Sequence, residues 1–184
     1  NDKFVETVLV SQASSDAVLK GSGKNSILKV DFSVSGATGT LPLNSIEFTS
    51  LNTLNADLVT PNGVQLWRSA TDNLAEAVSV DSMDYAAGIA AFTGLAYDLP
   101  VGHTYFWLVY DVSATAVSYN ILDSKIAVNK INVNGSTFNT VEDNPAGSSA
   151  IMPASVNTYP YVQPFAAVPP TDWQATGGTN NWAL

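Results

Sequence analysis

Hydrophobic and polar residues alternate along several short stretches of this chain. The clearest stretch is 27–34, in which Leu28, Val30, Phe32 and Val34 occupy every second position and polar residues separate them. An alternation with a period of two is typical of a β-strand with one face on a core and the other toward solvent. Further alternating or β-branched stretches, which we predict to be strands, lie at 4–10, 43–49, 64–68, 89–95 and 125–133.

The stretch Val101–Val112 differs from the others because it is apolar at almost every position. Apart from His103 and Asp111 it holds only uncharged residues, most of them aromatic or β-branched. Such a run predicts a strand that is buried on both faces at the centre of a sheet. Its alternation places Phe106, Leu108 and Tyr110 on one face, and Tyr105, Trp107 and Val109 on the other.

Turn-forming residues separate these stretches at regular intervals. Asn62-Gly63 and Asn134-Gly135 are pairs that favour tight turns, and no long amphipathic helix is predicted between any two strands. The pattern predicts an all-β protein, an antiparallel β-sandwich of immunoglobulin-like or jelly-roll-like type with about eight or nine strands. The expected core residues are Phe32, Phe48, Phe106, Leu108 and Tyr110.

The sequence changes in character near Asn144-Pro145-Ala146-Gly147. Alternation is weak after this point, and proline and tryptophan become frequent. We therefore expect a sandwich domain over 1–152. For 153–184 the alternatives are an extended C-terminal arm lying on the sandwich, a linker, or the start of a second module.

Composition restricts the classes of function. Of the 184 residues 46% are hydrophobic and 12% are charged, the formal net charge is −9, and there is no cysteine. The acidic balance argues against nucleic acid, which needs clustered basic residues, and the missing cysteine excludes disulfides and thiolate metal sites. No stretch approaches the roughly 20 apolar residues of a membrane span, so membrane insertion is not expected. A polar, weakly charged β-protein of this kind predicts an extracellular or cell-surface location, with any signal peptide already removed.

Three stretches together resemble the β-sandwich domain found at the N-terminus of BNR-repeat neuraminidases. Asn55–Leu58 and Val64–Ser69 are similar to that family's "N-x-D-I … V-x-Y-Y-T" segment. Leu99–Ala116 is similar to its "L-x-x-G-x-N-Y-F-W-L-x-Y-D-V" signature, and Leu122–Ile126 with Pro145–Gly147 is similar to its "V-L-D-A … P-A-G" ending. The resemblance covers about residues 1 to 152.

The resemblance implies more than a fold. Copies of this domain are frequent in large secreted and surface adhesion proteins of Bacteroidetes-type bacteria, and in the neuraminidases the domain sits beside the catalytic propeller without performing its chemistry. The chain departs from the pattern at Thr104, where Asn is usual, and at Ser124-Lys125, where a Cys-Thr pair is common. The tail from Tyr159 to Trp182 is similar to the opening of an adhesin-type or MAM-like jelly-roll module.

The aromatic residues offer one candidate site. Trp67, Tyr105 and Trp107 would form a platform for stacking sugar rings if their face of the sheet were open. The alternative is that the same side chains pack in the core or against a neighbouring module, which is the ordinary use of large aromatics in a sandwich.

The acidic residues offer a second candidate site, for calcium. Asp72, Asp81 and Asp84 lie close together in sequence and could supply several of the about six to eight oxygen ligands that calcium takes, although no complete calcium-loop motif is present. No other cofactor is expected. The single histidine, His103, has no acidic neighbour in sequence and is expected to be an exposed turn residue.

Together these features predict a non-catalytic structural or adhesion module of a larger extracellular bacterial protein, and not an enzyme. Its partners would be neighbouring modules of the same polypeptide or other copies of itself. Two alternatives remain open: a carbohydrate-binding module accessory to a glycosidase, and a subunit of an extracellular fibre whose tail adds a strand to the next copy.

Overall fold

The computed structural model describes residues 1–154, and nearly all of their regular structure is strand. Two single-turn 3-10 helices, Asn55–Asp57 and Leu74–Glu76, interrupt the strands. Most of the predicted arm, 153–184, lies outside the described residues. The strands are β1 Phe4–Gln12, β2 Val18–Leu19, β3 Asn25–Ser35, β4 Pro42–Ser50, β5 Val64–Ser69, β6 Val78–Met83, β7 Ile89–Asp98, β8 Gly102–Tyr110, β9 Ile121–Leu122, β10 Ser124–Lys125, β11 Ile131–Val133, β12 Ser136–Thr137 and β13 Ser149–Met152.

The strands form two large sheets and one small one. The first sheet has the order β1-β3-β8-β5-β6, and the second has the order β10-β4-β11-β12 with β7 paired to the other edge of β4. The small sheet has the order β2-β13-β9. All strand pairs are antiparallel except β13 with β2. The predicted all-β antiparallel sandwich is confirmed. The described residues form 13 strands instead of the predicted eight or nine, because four of the strands are only two residues long.

The inner faces of the two large sheets meet in one apolar core. Phe32 of β3 packs edge-on against Phe106 of β8 with ring centroids 5.7 Å apart, and Phe48 of β4 packs in the same way against Phe92 of β7 at 6.1 Å. Edge-to-face packing suits the electrostatics of aromatic rings and fixes their orientation. The five residues expected in the core are completely buried: Phe32, Phe48, Phe106, Leu108 and Tyr110.

The turn predicted at Asn134-Gly135 joins β11 to β12. Both residues have positive φ, 51° for Asn134 and 79° for Gly135, as a type I′ turn requires. Asn and Gly adopt this region at low cost, so the local sequence favours this hairpin, and the N–H of Asn134 also donates to the carbonyl of Pro42 at 2.7 Å.

The strand predicted over 125–133 is wrong over its middle part. The structure has the short strands β10 and β11 there, and Asn129 between them turns the chain with a φ of 60°. The side chain of Asn139 holds the turn, because its Oδ1 accepts hydrogen bonds from the backbone N–H groups of Lys130 at 2.8 Å and Ile131 at 3.0 Å.

A buried carboxylate fixes the loop that follows β8. Asp57, at the end of the first 3-10 helix, is 1% exposed. Its carboxylate accepts hydrogen bonds from the backbone N–H of Val117 and from Nδ2 of Asn120, both at 2.8 Å, and its carbonyl oxygen accepts from the N–H of Ser113 at 2.9 Å. Charge-assisted bonds of this kind are stronger than neutral ones, so one side chain ties the loop 113–120 to the sandwich.

A pair of tyrosines carries hydroxyl groups into the core. The Tyr85 hydroxyl is hydrogen-bonded to that of Tyr110 and lies 3.3 Å from Oγ of Ser124. Burial raises the pKa of Tyr85 to about 12, and burial together with the neighbouring Tyr85 raises the pKa of Tyr110 well above 10. Both hydroxyls therefore stay neutral in the folded protein at pH 10, where a tyrosine with its ordinary pKa is half ionised.

No helix among the described residues is both long enough and apolar enough to cross a membrane.

The pKa of Tyr85 predicts a loss of stability at high pH. In the unfolded chain a tyrosine ionises near pH 10, whereas Tyr85 in the fold ionises near pH 12, so ionisation favours the unfolded state as the pH rises above 10. We expect the free energy of unfolding to fall by on the order of 2 kcal/mol more in the wild type than in Tyr85→Phe between pH 10 and 12. Urea unfolding of both proteins at a series of pH values measures this difference. An equal fall in the Tyr85→Phe protein would contradict the assignment; Tyr119→Phe, at an exposed tyrosine, should behave as the wild type.

The role of Asp57 predicts a large effect of its removal. Asp57→Ala leaves the Val117 N–H and the Asn120 amide without their acceptor, and we expect the free energy of unfolding to fall by about 2–4 kcal/mol. Asp16→Ala, at an exposed aspartate, is the matched control and should change stability by less than about 0.5 kcal/mol. Similar losses in the two variants in chemical denaturation would show that Asp57 does not anchor the loop.

Candidate functional site

The outer face of the first sheet carries a patch of aromatic and charged side chains. Alternation along β8 directs Tyr105 and Trp107 away from the core. Across the sheet Trp107 lies opposite Lys29 of β3 and Trp67 of β5, in register. We call these four residues together with His103 the outer aromatic face. It is formed by the β3, β8 and β5 strands, which are rigid central elements.

A chain of hydrogen bonds holds the indole ring of Trp67. Its Nε1 donates to Oε1 of Gln65 at 2.7 Å, and Nε2 of Gln65 donates to Oδ2 of Asp111 at 2.6 Å. The other oxygen of Asp111 accepts from the backbone N–H of Lys24 at 2.8 Å, and Nζ of Lys24 lies 4.1 Å from the centre of the Trp67 ring. The hydrogen bonds hold the edge of the Trp67 ring and the cation–π contact holds its face. The ring is therefore fixed before any ligand binds.

Trp107 is covered by the protein itself. Its Nε1 donates to Oγ of Ser69 at 3.1 Å, and the ring is only 7% exposed. The side chains packed around it include Ala77 and Leu74, which lie on and beside the second 3-10 helix. With Phe106 and Leu108 buried on the inner side, the central part of β8 is buried on both faces.

Lys29 links the aromatic rings to an acidic loop. Its Nζ lies 5.7 Å from the ring centre of Tyr105 and 5.5 Å from that of Trp107. The same ammonium group donates to both carboxylate oxygens of Asp72, at 2.8 and 2.7 Å. Because it is satisfied by one carboxylate and two rings, Lys29 stabilises the face and is not left as an unpaired cation.

His103 and Tyr105 form the more open end of the outer aromatic face. Their rings are nearly parallel, with an angle of 13° and a centroid distance of 6.0 Å, and Nδ1 of His103 lies 2.9 Å from Oδ1 of Asp31. Partial desolvation, followed by the negative charges of Asp31 and Asp72, raises the pKa of Tyr105. Like any tyrosine with a pKa of about 10 or higher, Tyr105 is protonated at neutral pH, so its hydroxyl is a hydrogen-bond donor as well as an acceptor.

The three residues predicted to bind carbohydrate are thus brought together, but they are not equally accessible. Trp67 and Tyr105 are half-buried, whereas Trp107 has almost no free surface. The surface that remains for a sugar ring belongs to Tyr105, Trp67 and His103. Carbohydrate binding stays a prediction. The rings expected to contact a sugar are those of Tyr105, Trp67 and His103, and no longer that of Trp107.

The three residues predicted to bind calcium are engaged separately. Asp72 is paired with Lys29, Oδ1 of Asp81 accepts from the N–H of Ser82 at 2.8 Å, and Oδ1 of Asp84 accepts from the N–H of Asn62 at 2.8 Å. Within residues 1–154 no group of three or more His, Cys, Asp or Glu side chains is placed to hold a metal ion. Calcium binding remains a prediction from sequence, without a ligand cluster in the described part of the chain to support it.

The acidic motif residues that carry the family resemblance serve the structure. Asp57 anchors the 113–120 loop, and Asp111 bridges the backbone of Lys24 and the side chain of Gln65. Sequence reasoning missed both roles. The one available signal was that each aspartate follows or interrupts an apolar run, where an unpaired charge is costly and a hydrogen-bonding partner is therefore expected.

Comparison with known proteins gives a likeness in fold. No family model matches the chain, and no curated protein matches its sequence. Among solved structures, one titled "Hadza microbial sialidase Hz136" is similar with a TM-score of 0.59 and 12% sequence identity, over 77% of this chain and 30% of that one. The chain therefore spans about a third of the length of that protein. At this identity the likeness establishes a shared β-fold with part of a sialidase.

Proposed function

We propose that this chain is a non-catalytic structural and adhesion module of a larger extracellular protein. The observation that carries the proposal is that residues 1–3 and β13, the first and last described segments of the sandwich, are both hydrogen-bonded to it. The carbonyl oxygen of Asn1 accepts hydrogen bonds from the N–H groups of Ala37 at 2.9 Å and Thr38 at 3.2 Å, and the N–H of Lys3 donates to the carbonyl of Thr38 at 2.8 Å. At the other end, β13 lies between β2 and β9. Segments hydrogen-bonded to the sandwich at both of its boundaries suit a unit that carries load between neighbouring modules.

Several acidic side chains of the fold and the single histidine make hydrogen bonds or ion pairs with other protein groups, which supports the same proposal. Asp57, Asp111 and Asp72 each hold a loop or a cation, and His103 is paired with Asp31. Groups engaged in this way stabilise the fold. The similarity in fold to a segment covering 30% of a sialidase chain fits an accessory domain placed beside a separate catalytic unit.

Catalytic inactivity is a direct consequence of the proposal. The full chain, incubated with a fluorogenic sialoside and with a panel of aryl glycosides, should release no fluorophore above the buffer control. Turnover that scales with protein concentration, and survives further purification, would overturn the proposal.

The backbone contacts of residues 1–3 predict the effect of replacing one glycine. Gly36 has a φ of +101°, and a methyl group on it would overlap the backbone of Asp2, so Gly36→Ala should displace residues 1–3. Gly88→Ala is the matched control, since Gly88 has a φ of +78° and open space around it. We expect Gly36→Ala to lower the force of unfolding in single-molecule pulling, and to speed hydrogen exchange at the N–H groups of Lys3 and Ala37. Equal behaviour of the two variants would contradict a load-bearing role for this end.

A second candidate function is carbohydrate binding, which the outer aromatic face favours. Pre-fixed rings on a rigid sheet lose little entropy on binding, and Tyr105 and Trp67 are only half-buried. If this function holds, a ligand found on a glycan array should bind Tyr105→Ala at least about tenfold more weakly than wild type in titration calorimetry. Tyr119→Ala, at an exposed tyrosine, is the control. Absence of binding by the wild-type chain, or equal binding by Tyr105→Ala, removes this candidate.

A further inference from the structure

Within residues 1–154, the edge of the first sheet formed by β1 has no second neighbouring strand. β1 runs for nine residues, Phe4–Gln12, and among the described residues it pairs along its length with β3 alone. Glu6 is its one charged residue. A long edge strand with so little charge presents unpaired backbone groups to any other strand.

The edges formed by β6 and β7 are better protected. β6 is six residues long and carries Asp81. β7 is interrupted by Gly94 and Ala96, whose φ values of 67° and 48° do not fit a regular ladder. Short length, charge and irregular backbone are the usual ways in which a sheet edge is blocked. β1 has a single charge and a single bulge over its nine residues, both at Glu6.

The bulge has an effect on the side chains of β1. The register with β3 shifts between Val5 and Thr7, so that Phe4 lies opposite Ser35 and Leu9 lies opposite Asp31. In a regular strand residues 4 and 9 would point to opposite faces, but the extra residue brings both to the outer face. Phe4 is 51% exposed and Leu9 is 61% exposed, so the open edge carries two large apolar side chains.

We propose that β1 pairs antiparallel with β1 of a second copy of this chain, across a two-fold axis between Glu6 and Thr7. In this register Phe4 lies opposite the partner's Leu9, and Val5 lies opposite the partner's Val8. The sequence of β1 is self-complementary in this arrangement, since outward side chains meet outward ones and inward side chains meet inward ones. The two five-stranded sheets become one continuous sheet. A two-fold pairing closes on itself and uses up both open edges.

Glu6 limits the strength of this association. Its carboxylate accepts hydrogen bonds from Oγ of Ser35 at 2.5 Å and Oγ of Ser33 at 3.3 Å, which holds it beside the axis. The carboxylates of the two copies therefore approach each other, and like charges in neighbouring cross-strand positions oppose pairing. The net charge of −9 on each chain adds to the repulsion. The expected dimer is weak in the wild type and strengthens when Glu6 is neutralised.

Register-specific cross-linking tests the geometry, because the chain has no cysteine of its own. Thr7→Cys places two thiols next to the axis, within the Cα separation of about 4.4–6.8 Å that a disulfide needs. Ser11→Cys, on the same strand and the same face, places them far apart. Under mild oxidation the Thr7→Cys variant of the 184-residue chain should form a covalent dimer and Ser11→Cys should not. Equal cross-linking of both proteins, or none in either, would overturn the proposed register.

A mixed experiment separates this pairing from strand addition by the tail of another copy. Thr7→Cys protein is oxidised together with Tyr161→Cys protein. Disulfides between Thr7 sites of two copies support the proposal, whereas preferential joining of Thr7 to Tyr161 assigns the edge to the tail and refutes it.

Sedimentation velocity of the full chain measures the strength of self-association and so tests the contribution of individual side chains to it. Leu9→Lys should weaken self-association by about tenfold or more, since it places a cation in both apolar cross-strand pairs, while Val117→Lys, at an exposed site away from β1, should have no effect. Glu6→Gln should tighten association several-fold and make it less dependent on salt. A Glu6→Gln protein that associates no better than wild type, or a Leu9→Lys protein that associates as well, contradicts the proposal.

Discussion

The pairing of β8 between β3 and β5 is the interaction on which the rest of the fold depends. β8 has a strand on each side and is covered on both faces over the stretch from Phe106 to Tyr110. Its inner face supplies the apolar contacts with the second sheet, and its outer face carries Trp107 and Val109, which are also buried. Over this stretch the strand has neighbours on both edges and is buried on both faces, so a slip of register would be costly and the registers of β3 and β5 follow from it.

The outer aromatic face is a consequence of this double burial. For Trp107 to be buried on the solvent side of the sheet, loops must fold over it, and those loops bring polar groups close to aromatic rings. The protein satisfies each group locally: Ser69 accepts from the Trp107 indole, and Asp72 neutralises Lys29. The same contacts that stabilise the face also leave Tyr105 and Trp67 rigid and partly exposed. Structural role and binding capacity therefore arise from one set of residues, and only the exposed part can serve a ligand.

Patterns of neighbouring residues in the sequence predicted those strands and turns that are favoured by their own residues. The alternation in β3, the apolar run of β8 and the Asn134-Gly135 turn were all readable, because each depends on neighbours in sequence. The break within 125–133 was not, because Asn139 imposes it from a different segment. Aromatic residues of the candidate site were identified as a group, but their exposure depends on the second 3-10 helix lying over Trp107, which no sequence period encodes.

Native-state hydrogen exchange of the β8 amides tests the dependence of the fold on this strand most directly. If β8 holds the sandwich together, the N–H groups of Phe106, Leu108 and Tyr110 should exchange only when the whole protein unfolds. Their exchange free energies should then equal the global free energy of unfolding and fall in parallel with it as denaturant is added. Exchange of these three amides through a local opening, with a free energy below the global value and little dependence on denaturant, would contradict the account.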